Sequence, residues 1–346
     1  MNASTLFKHL RTPTEDDLVL KLKTLTPLYT GGIGQEGDQV HPSNLLGGVR
    51  HFSCLVARTL GDAEFEGKVW GNAGQGGVTA TGKHVALRWD SSRLEKIRLP
   101  GEIKIPKKGG ESSKWWFNTA FTGELDLTVS RRGISDTHWH MLQLALAIQV
   151  RHATFGAKDQ FGLGVLGWRD QPLTPRPLDT GAVLPGAQDA SLLRYAFASI
   201  ELAPRPGENP RLQLTTSLII ALGLRSRLRN ALREKDNDPP EERERLKELR
   251  HQMLGKLNRF GSAVNVSAAY PRTAGGNTLE ARVSVALKPD TPDKRKETMK
   301  QFSAALKDAN ESIAASGYKV GANPTWQFGG AHTNARAAWL NTLAGV

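Results

Sequence analysis

A chain of 346 residues exceeds what one hydrophobic core usually fills, and 39% hydrophobic with 23% charged residues excludes wholesale disorder. Its 46 lysines and arginines against 34 acidic residues give a formal charge of +12 and a pI near 9.8, which points to a polyanionic partner. The single cysteine, Cys54, excludes an intramolecular disulfide and a cysteine-rich zinc module, and its apolar neighbours mark it as a buried structural thiol.

In chain order, Met1–Arg11 has no apolar core of the signal-peptide kind. In 18–25, Leu18, Leu20 and Leu22 alternate with Val19, Lys21 and Lys23, the period of a strand with one buried face. A glycine-rich loop, 26–38, follows. A helix is predicted over 44–60, with Ser43 as N-cap and Gly61 as its stop. Gly47 and Gly48 inside it suggest either close backbone approach or a frayed first turn. Residues 69–82 form a second glycine-rich loop, and 84–88 read as a short strand.

The segment 93–118 reads as a basic arm or extended hairpin with Lys104, Lys107, Lys108 and Lys114, running into Trp115, Trp116 and Phe117. It cannot pack a core of its own and is expected to order on binding. A strand over 124–130 and an apolar helix over 138–152 follow. The longest apolar stretch, 142–150, is interrupted by Gln143 and Gln149 and is too short for a membrane span, so a cytoplasmic location is expected. A third glycine-rich segment, 155–167, ends in a short strand. Four prolines mark 171–192 as a linker between domains at 1–170 and 193–346.

In the second domain, strands are predicted over 193–202, 264–269 and 281–288, with helices over 212–232, 241–259 and 298–316. The fold class is therefore α+β, with two ferredoxin-like (RRM-like) domains, long insertions and glycine-rich loops. The second half fits that order less well than the first.

No GxxxxGK[ST] or GxSxG run is present, and the two runs of GxGxxG spacing, Gly32–Gly37 and Gly162–Gly167, do not open a helix as a dinucleotide fingerprint must. Glycine loops can instead present bare backbone N–H groups to phosphates, or serve as ordinary turns. His138 and His140 lie two apart and point to different faces, so no metal is expected. His41, His51 and His84 lie near glycine loops, but the sequence supplies no partner that would make any of them a base. Trp115 among lysines suits stacking on an unpaired base, and Arg131 and Arg132 end a strand where they could hold phosphates or be solvated.

Three segments together resemble the RAMP superfamily, the repeat-associated mysterious proteins of CRISPR systems. They are the strand followed by Thr26-Pro27-Leu28-Tyr29-Thr30-Gly31-Gly32; Pro42-Ser43-Asn44-Leu45-Leu46-Gly47-Gly48-Val49-Arg50 continuing to Arg58; and Phe155-Gly156-Ala157-Lys158-Asp159-Gln160-Phe161-Gly162. Val69-Trp70-Gly71, then Gly74 and Gly76, resembles the family's motif before its glycine-bearing loop. Within the superfamily, the family of the first RAMP subunit of the type III-B (Cmr) effector is most similar, over roughly 18–168. In the third segment, which is often arginine-rich in the family, only Lys158 is basic.

The resemblance implies a place at the end of a filament of RAMP subunits in a cytoplasmic ribonucleoprotein for antiviral defence. It implies contact with the 3′ part of a guide RNA and with its target RNA, without cofactor, metal or catalysis. The RNA-binding residues expected on these grounds are Thr30, Gly31, Gly32, Ser43, Arg50, Arg58, Gly74, Gly76, Lys107, Lys108, Trp115, Arg131, Arg132, Lys158 and Gln160. The alternatives are a metal-independent endoribonuclease of the same superfamily that processes guide precursors, and an assembly subunit that hardly touches RNA.

Overall fold

The structure is a computed structural model. It describes residues 16–31, 39–72, 80, 82–100, 102–107, 110–115, 119–157, 162–181, 186–187, 191–208, 210–255, 262–287, 292–321, 324–328 and 333–346.

The first half contains β1 (Asp17–Thr24), α1 (Pro42–Thr59), β2 (Val85–Asp90), β3 (Leu94–Arg98), β4 (Glu102–Lys107), β5 (Gly110–Trp115), β6 (Thr119–Arg131), α2 (Asp136–His152) and β7 (Leu166–Trp168). The strand order β2-β6-β1-β7, all antiparallel, is the ferredoxin-like arrangement with β3–β5 inserted before the third principal strand. The leucine alternation sets the register. Leu20 pairs with Leu127 and Leu22 with Leu125, so these side chains share one face and pack under Leu45 and Val49 of α1 and Leu142 and Leu146 of α2.

The expected arm is only partly an arm. Its first strand, β3, joins the sheet by pairing with the start of β6, while β4 and β5 form a separate hairpin. β6 passes from β3 to β2 near Gly123, whose φ is +128°. A Cβ there would sit 2.5 Å from the Arg93 carbonyl oxygen, so only glycine fits.

The second half contains β8 (Tyr195–Pro204), α3 (Leu214–Ala231), α4 (Pro240–Leu254), β9 (Val264–Val266), β10 (Tyr270–Pro271), β11 (Leu279–Ala286), α5 (Pro292–Lys307), β12 (Tyr318–Val320), β13 (Thr325–Phe328) and α6 (Thr333–Ala344). β11 and β8 are central; β9 and β10 share the edge beside β11, and β12 and β13 share the edge beside β8. This is the same ferredoxin-like order with each edge strand broken in two, so the second half fits as well as the first. The helix expected over 298–316 is α5 followed by 3-10 turns at Asp308–Glu311 and Ala314–Ser316.

The two halves share buried side chains. Phe52, Leu55 and Val56 of α1, Leu144 and Ile148 of α2, Phe197 of β8, and Leu340 and Leu343 of α6 form one cluster. Helix α6 thus leaves the second sheet and lies on α2. The buried Arg336 donates from Nη1 to the Thr59 carbonyl at 2.8 Å. The Asn341 amide brackets Leu178, accepting from its N–H at 2.8 Å and donating to its carbonyl at 2.9 Å, which pins the proline-rich segment. Among the described residues, no helix is long and apolar enough to cross a membrane.

Candidate nucleic-acid interface

Two of the three glycine segments meet at one end of the first sheet. Residues 26–31 leave β1 and are held on both sides. Leu28 exchanges backbone bonds with Phe121, while Gly164 N–H donates to the Pro27 carbonyl at 2.8 Å and Ala157 N–H to the Tyr29 carbonyl at 2.7 Å. A Cβ at Gly156 would lie 2.4 Å from the Tyr29 oxygen, and one at Gly164 only 1.9 Å from the Phe155 oxygen. Both have φ near +85° (+84° and +85°), so backbone packs directly on backbone here.

The junction continues into the N-terminus of α1. Thr30 is buried; its hydroxyl accepts from His41 N–H at 2.8 Å, and its carbonyl accepts from the Asn44 side chain. Gly31 sits beside Asn44 with φ +105°. The N-cap is His41 rather than Ser43, because Pro42 already occupies the first turn. Ser43 is exposed within that turn, which has no side-chain cap and no acidic residue. The uncapped positive end of the helix dipole favours an anion. Gly47 has open space around it and Gly48 only an ordinary contact with Gln149, so neither marks a close approach among the described residues.

Arg50 and Arg58 share one carboxylate. Glu66, on a π-helical turn at Glu66–Trp70, accepts from Arg50 at 2.8 Å and from Arg58 at 3.0 Å. The cluster keeps one positive charge in excess, and exposed pairs of this kind are individually weak, about 0–1 kcal/mol. No spacing in the sequence points to Glu66, since its placement depends on the turn after α1.

Arg131 is committed locally: its guanidinium donates to the Ile134 carbonyl and pairs with Asp136, closing the turn into α2. Its neighbour Arg132 is exposed. Lys107 and Trp115 lie on the paired strands of the β4–β5 hairpin, with Trp115 opposite Glu102 and Lys107 opposite Gly110. Gly32, Gly74, Gly76, Lys108, Lys158 and Gln160 lie outside the described residues, as do Trp116 and Phe117.

The outer face of the first sheet, where an RRM would stack bases, is instead a lattice of ion pairs. Arg93 reaches Asp126 at 2.7 Å, Arg169 reaches Glu124 at 2.9 Å, and Lys21 reaches Asp170 at 3.2 Å. The Asp170 carboxyl is held below its ordinary range chiefly by hydrogen bonding to Lys21. Arg93 and Arg169 were not singled out from sequence, because only the register shows that they face Glu124 and Asp126.

The histidines are engaged separately. His138 Nε2 lies 2.9 Å from Asp62 Oδ2, His140 lies against the Arg176 carbonyl, and His84 Nδ1 is 3.1 Å from the Arg132 carbonyl. Burial and then the charge of Arg58 hold His51 below the usual imidazole range. Cys54 is buried and its thiol is pushed up to about 11, mainly by desolvation, as expected of an inert structural cysteine.

No protein-family model matches the chain, and no curated protein matches it. Among solved structures, it is similar to a chain of the cryo-EM structure of the type III-B Cmr-beta bound to cognate target RNA. The TM-score is 0.48 at 11% identity, covering 84% of this chain and 100% of that one. It is similar to Cmr1 from Pyrococcus furiosus in its apo form, with TM-score 0.39 at 12% identity, covering 83% and 96%. A Cmr-beta structure with cognate target RNA, AMPPnP and single-stranded DNA gives TM-score 0.44 at 11% identity, covering 83% and 98%.

Proposed function

We propose that the chain is a non-catalytic RNA-binding subunit of a type III CRISPR effector complex. In that role it holds the 3′ part of the guide RNA and its duplex with target RNA, beside other RAMP subunits. The observation that carries this reading is the glycine junction. The described residues that resemble the RAMP motifs, 26–31, the start of α1, 155–157 and 162–164, meet at one sheet end, where side chains are excluded and an uncapped helix N-terminus lies alongside. The N–H groups of Leu28, Ala157 and Gly164 are spent within the junction, so the uncapped N-terminus of α1 is what it offers a phosphate, and the charge of +12 supplies the long-range attraction. The non-catalytic part is supported by His84 and His140, each held against a backbone carbonyl, and by His138, which pairs with Asp62 but is only 13% exposed and packs edge-on against Phe65.

Ultraviolet crosslinking of guide RNA in the purified complex tests this. Crosslinked peptides are expected from 26–31, 42–50 and 155–165. Crosslinks confined to other subunits would leave this chain an assembly subunit only. Cleavage of repeat RNA by the purified chain without metal would replace the proposal with the endoribonuclease reading.

A further inference from the structure

A cavity of about 580 Å3 lies between the outer face of the second sheet and the ends of α2 and α6. Its walls include Arg151 and His152 from α2, Trp168 from β7, Glu201 from β8, Glu280 and Arg282 from β11, and Arg272 from the turn before β11. None of them belongs to the glycine junction or was singled out in the sequence.

The charges in this cavity do not balance. Arg272 pairs with Glu201 near the rim, where both side chains are about half exposed at 55% and 43%. Glu280 accepts from the Tyr270 hydroxyl at 2.6 Å and lies 3.7 Å from Arg282 Nε. Arg282 is anchored, donating to the Val150 carbonyl at 2.7 Å. Arg151 is left over: its Nε is buried with no hydrogen-bond partner among the described residues. Its guanidinium is packed so closely that a Cβ on Gly345 would lie 2.5 Å from Cζ. Desolvation and then the like charge of Arg282 hold that guanidinium below its ordinary range. A partly desolvated cation beside a second cation is costly unless an anion enters.

We propose that this cavity binds a nucleotide, with its phosphate against Arg151 and its ribose and base toward Glu201 and Glu280. The volume lies within the roughly 300–1,000 Å3 usual for small-molecule sites, well beyond the needs of an inorganic ion. The two carboxylates repel a ligand that is anionic throughout and accept from the hydroxyl and amino groups of one that is anionic at a single end. Trp168 of β7 and Gln327 of β13 both line the cavity, their Nε1 and Oε1 have no hydrogen-bond partners among the described residues, and a base edge carries donors and acceptors of both kinds. The nucleotide is either free or the phosphorylated terminal residue of an RNA strand whose remaining phosphates stay outside the cavity.

The test is calorimetric titration of the full chain with adenosine 5′-monophosphate, inorganic phosphate, adenosine, and a short RNA with or without a terminal phosphate. The monophosphate is expected to bind at least about tenfold more tightly than phosphate or adenosine alone. Arg151→Gln is expected to weaken it about tenfold, with Arg151→Lys intermediate and Arg229→Gln, on an exposed part of α3, unchanged. Binding of only the terminally phosphorylated RNA, dependent on Arg151, assigns the site to a strand end and also supports the proposal. Equal affinity for phosphate and the monophosphate overturns it, as does binding of neither nucleotide nor RNA end, or binding unaffected by Arg151→Gln. The wild-type comparison of ligands stands even if a variant fails to fold. Variants at Arg50 and Arg58 serve as a separate check, because their failure to bind guide RNA leaves this titration unaltered.

Discussion

Arg50 and Glu66 meet across the turn that ends α1, with Arg50 Nη2 2.8 Å from Oε1, while Arg58 holds the other carboxylate oxygen at 3.0 Å. One carboxylate therefore half-neutralises the two arginines that the RAMP resemblance offers to RNA. Glu66→Gln is expected to raise RNA affinity several-fold while changing stability by less than about 1 kcal/mol. Arg50→Ala and Arg58→Ala are expected to weaken unrelated RNA sequences equally, each lowering the salt slope by about 1. Filter binding across a salt series reads all three. Wild-type behaviour in all of them would make this face of α1 structural only.

The glycine junction makes a stability prediction with an internal control. Gly164→Ala and Gly156→Ala force a Cβ onto backbone oxygens at positive φ and are expected to cost roughly 2–4 kcal/mol each. Gly47→Ala, in open space on α1, is expected to stabilise by about 0.5–1 kcal/mol. Urea denaturation of the three variants checks this, and a harmless Gly164→Ala would mean that the loop packs otherwise.

His152 sets a pH dependence. Its Nε2 donates to the Leu343 carbonyl at 2.9 Å, and burial lowers its pKa from 6.5 to about 4. In the unfolded chain it gains a proton near pH 6.5, while the folded chain resists protonation until about pH 4. Stability is thus lost as pH falls through that window, by about 3 kcal/mol at most, and levels off below it. In thermal melts from pH 7 to 4, the difference between wild type and His152→Gln should shrink as pH falls. Parallel curves would refute the assignment.

The β4–β5 hairpin tests the remaining sequence expectation. Proteolysis over 104–114 is expected to slow when guide RNA is bound, and charge reversal of Lys104, Lys107, Lys108 and Lys114 to weaken RNA binding. Each lost phosphate contact should lower the salt slope by about 0.7–0.9. Equal cleavage with and without RNA removes the hairpin from the RNA site.

The sequence by itself determined whatever depends on neighbours along the chain. The alternation of Leu18, Leu20 and Leu22 fixed β1 and its buried face, and the apolar run after Trp139 fixed α2. The burial of Cys54 was readable from its apolar neighbours, and the order of elements gave the ferredoxin-like class for the first half. The second half was harder to read because β9, β10, β12 and β13 run only two to four residues each, too short to show a period of two. Tertiary structure alone decided the rest. Helix α6 seats on α2 because Leu340 and Leu343 find an apolar surface nearly two hundred residues away in the chain. Glu66 takes both arginines because a π-helical turn aims it back at α1. Arg151 meets Arg282 because the outer face of the second sheet closes over the end of α2. Charges interact through space, so a pairing or a surplus of this kind becomes legible only once the chain has brought distant segments within a few ångströms.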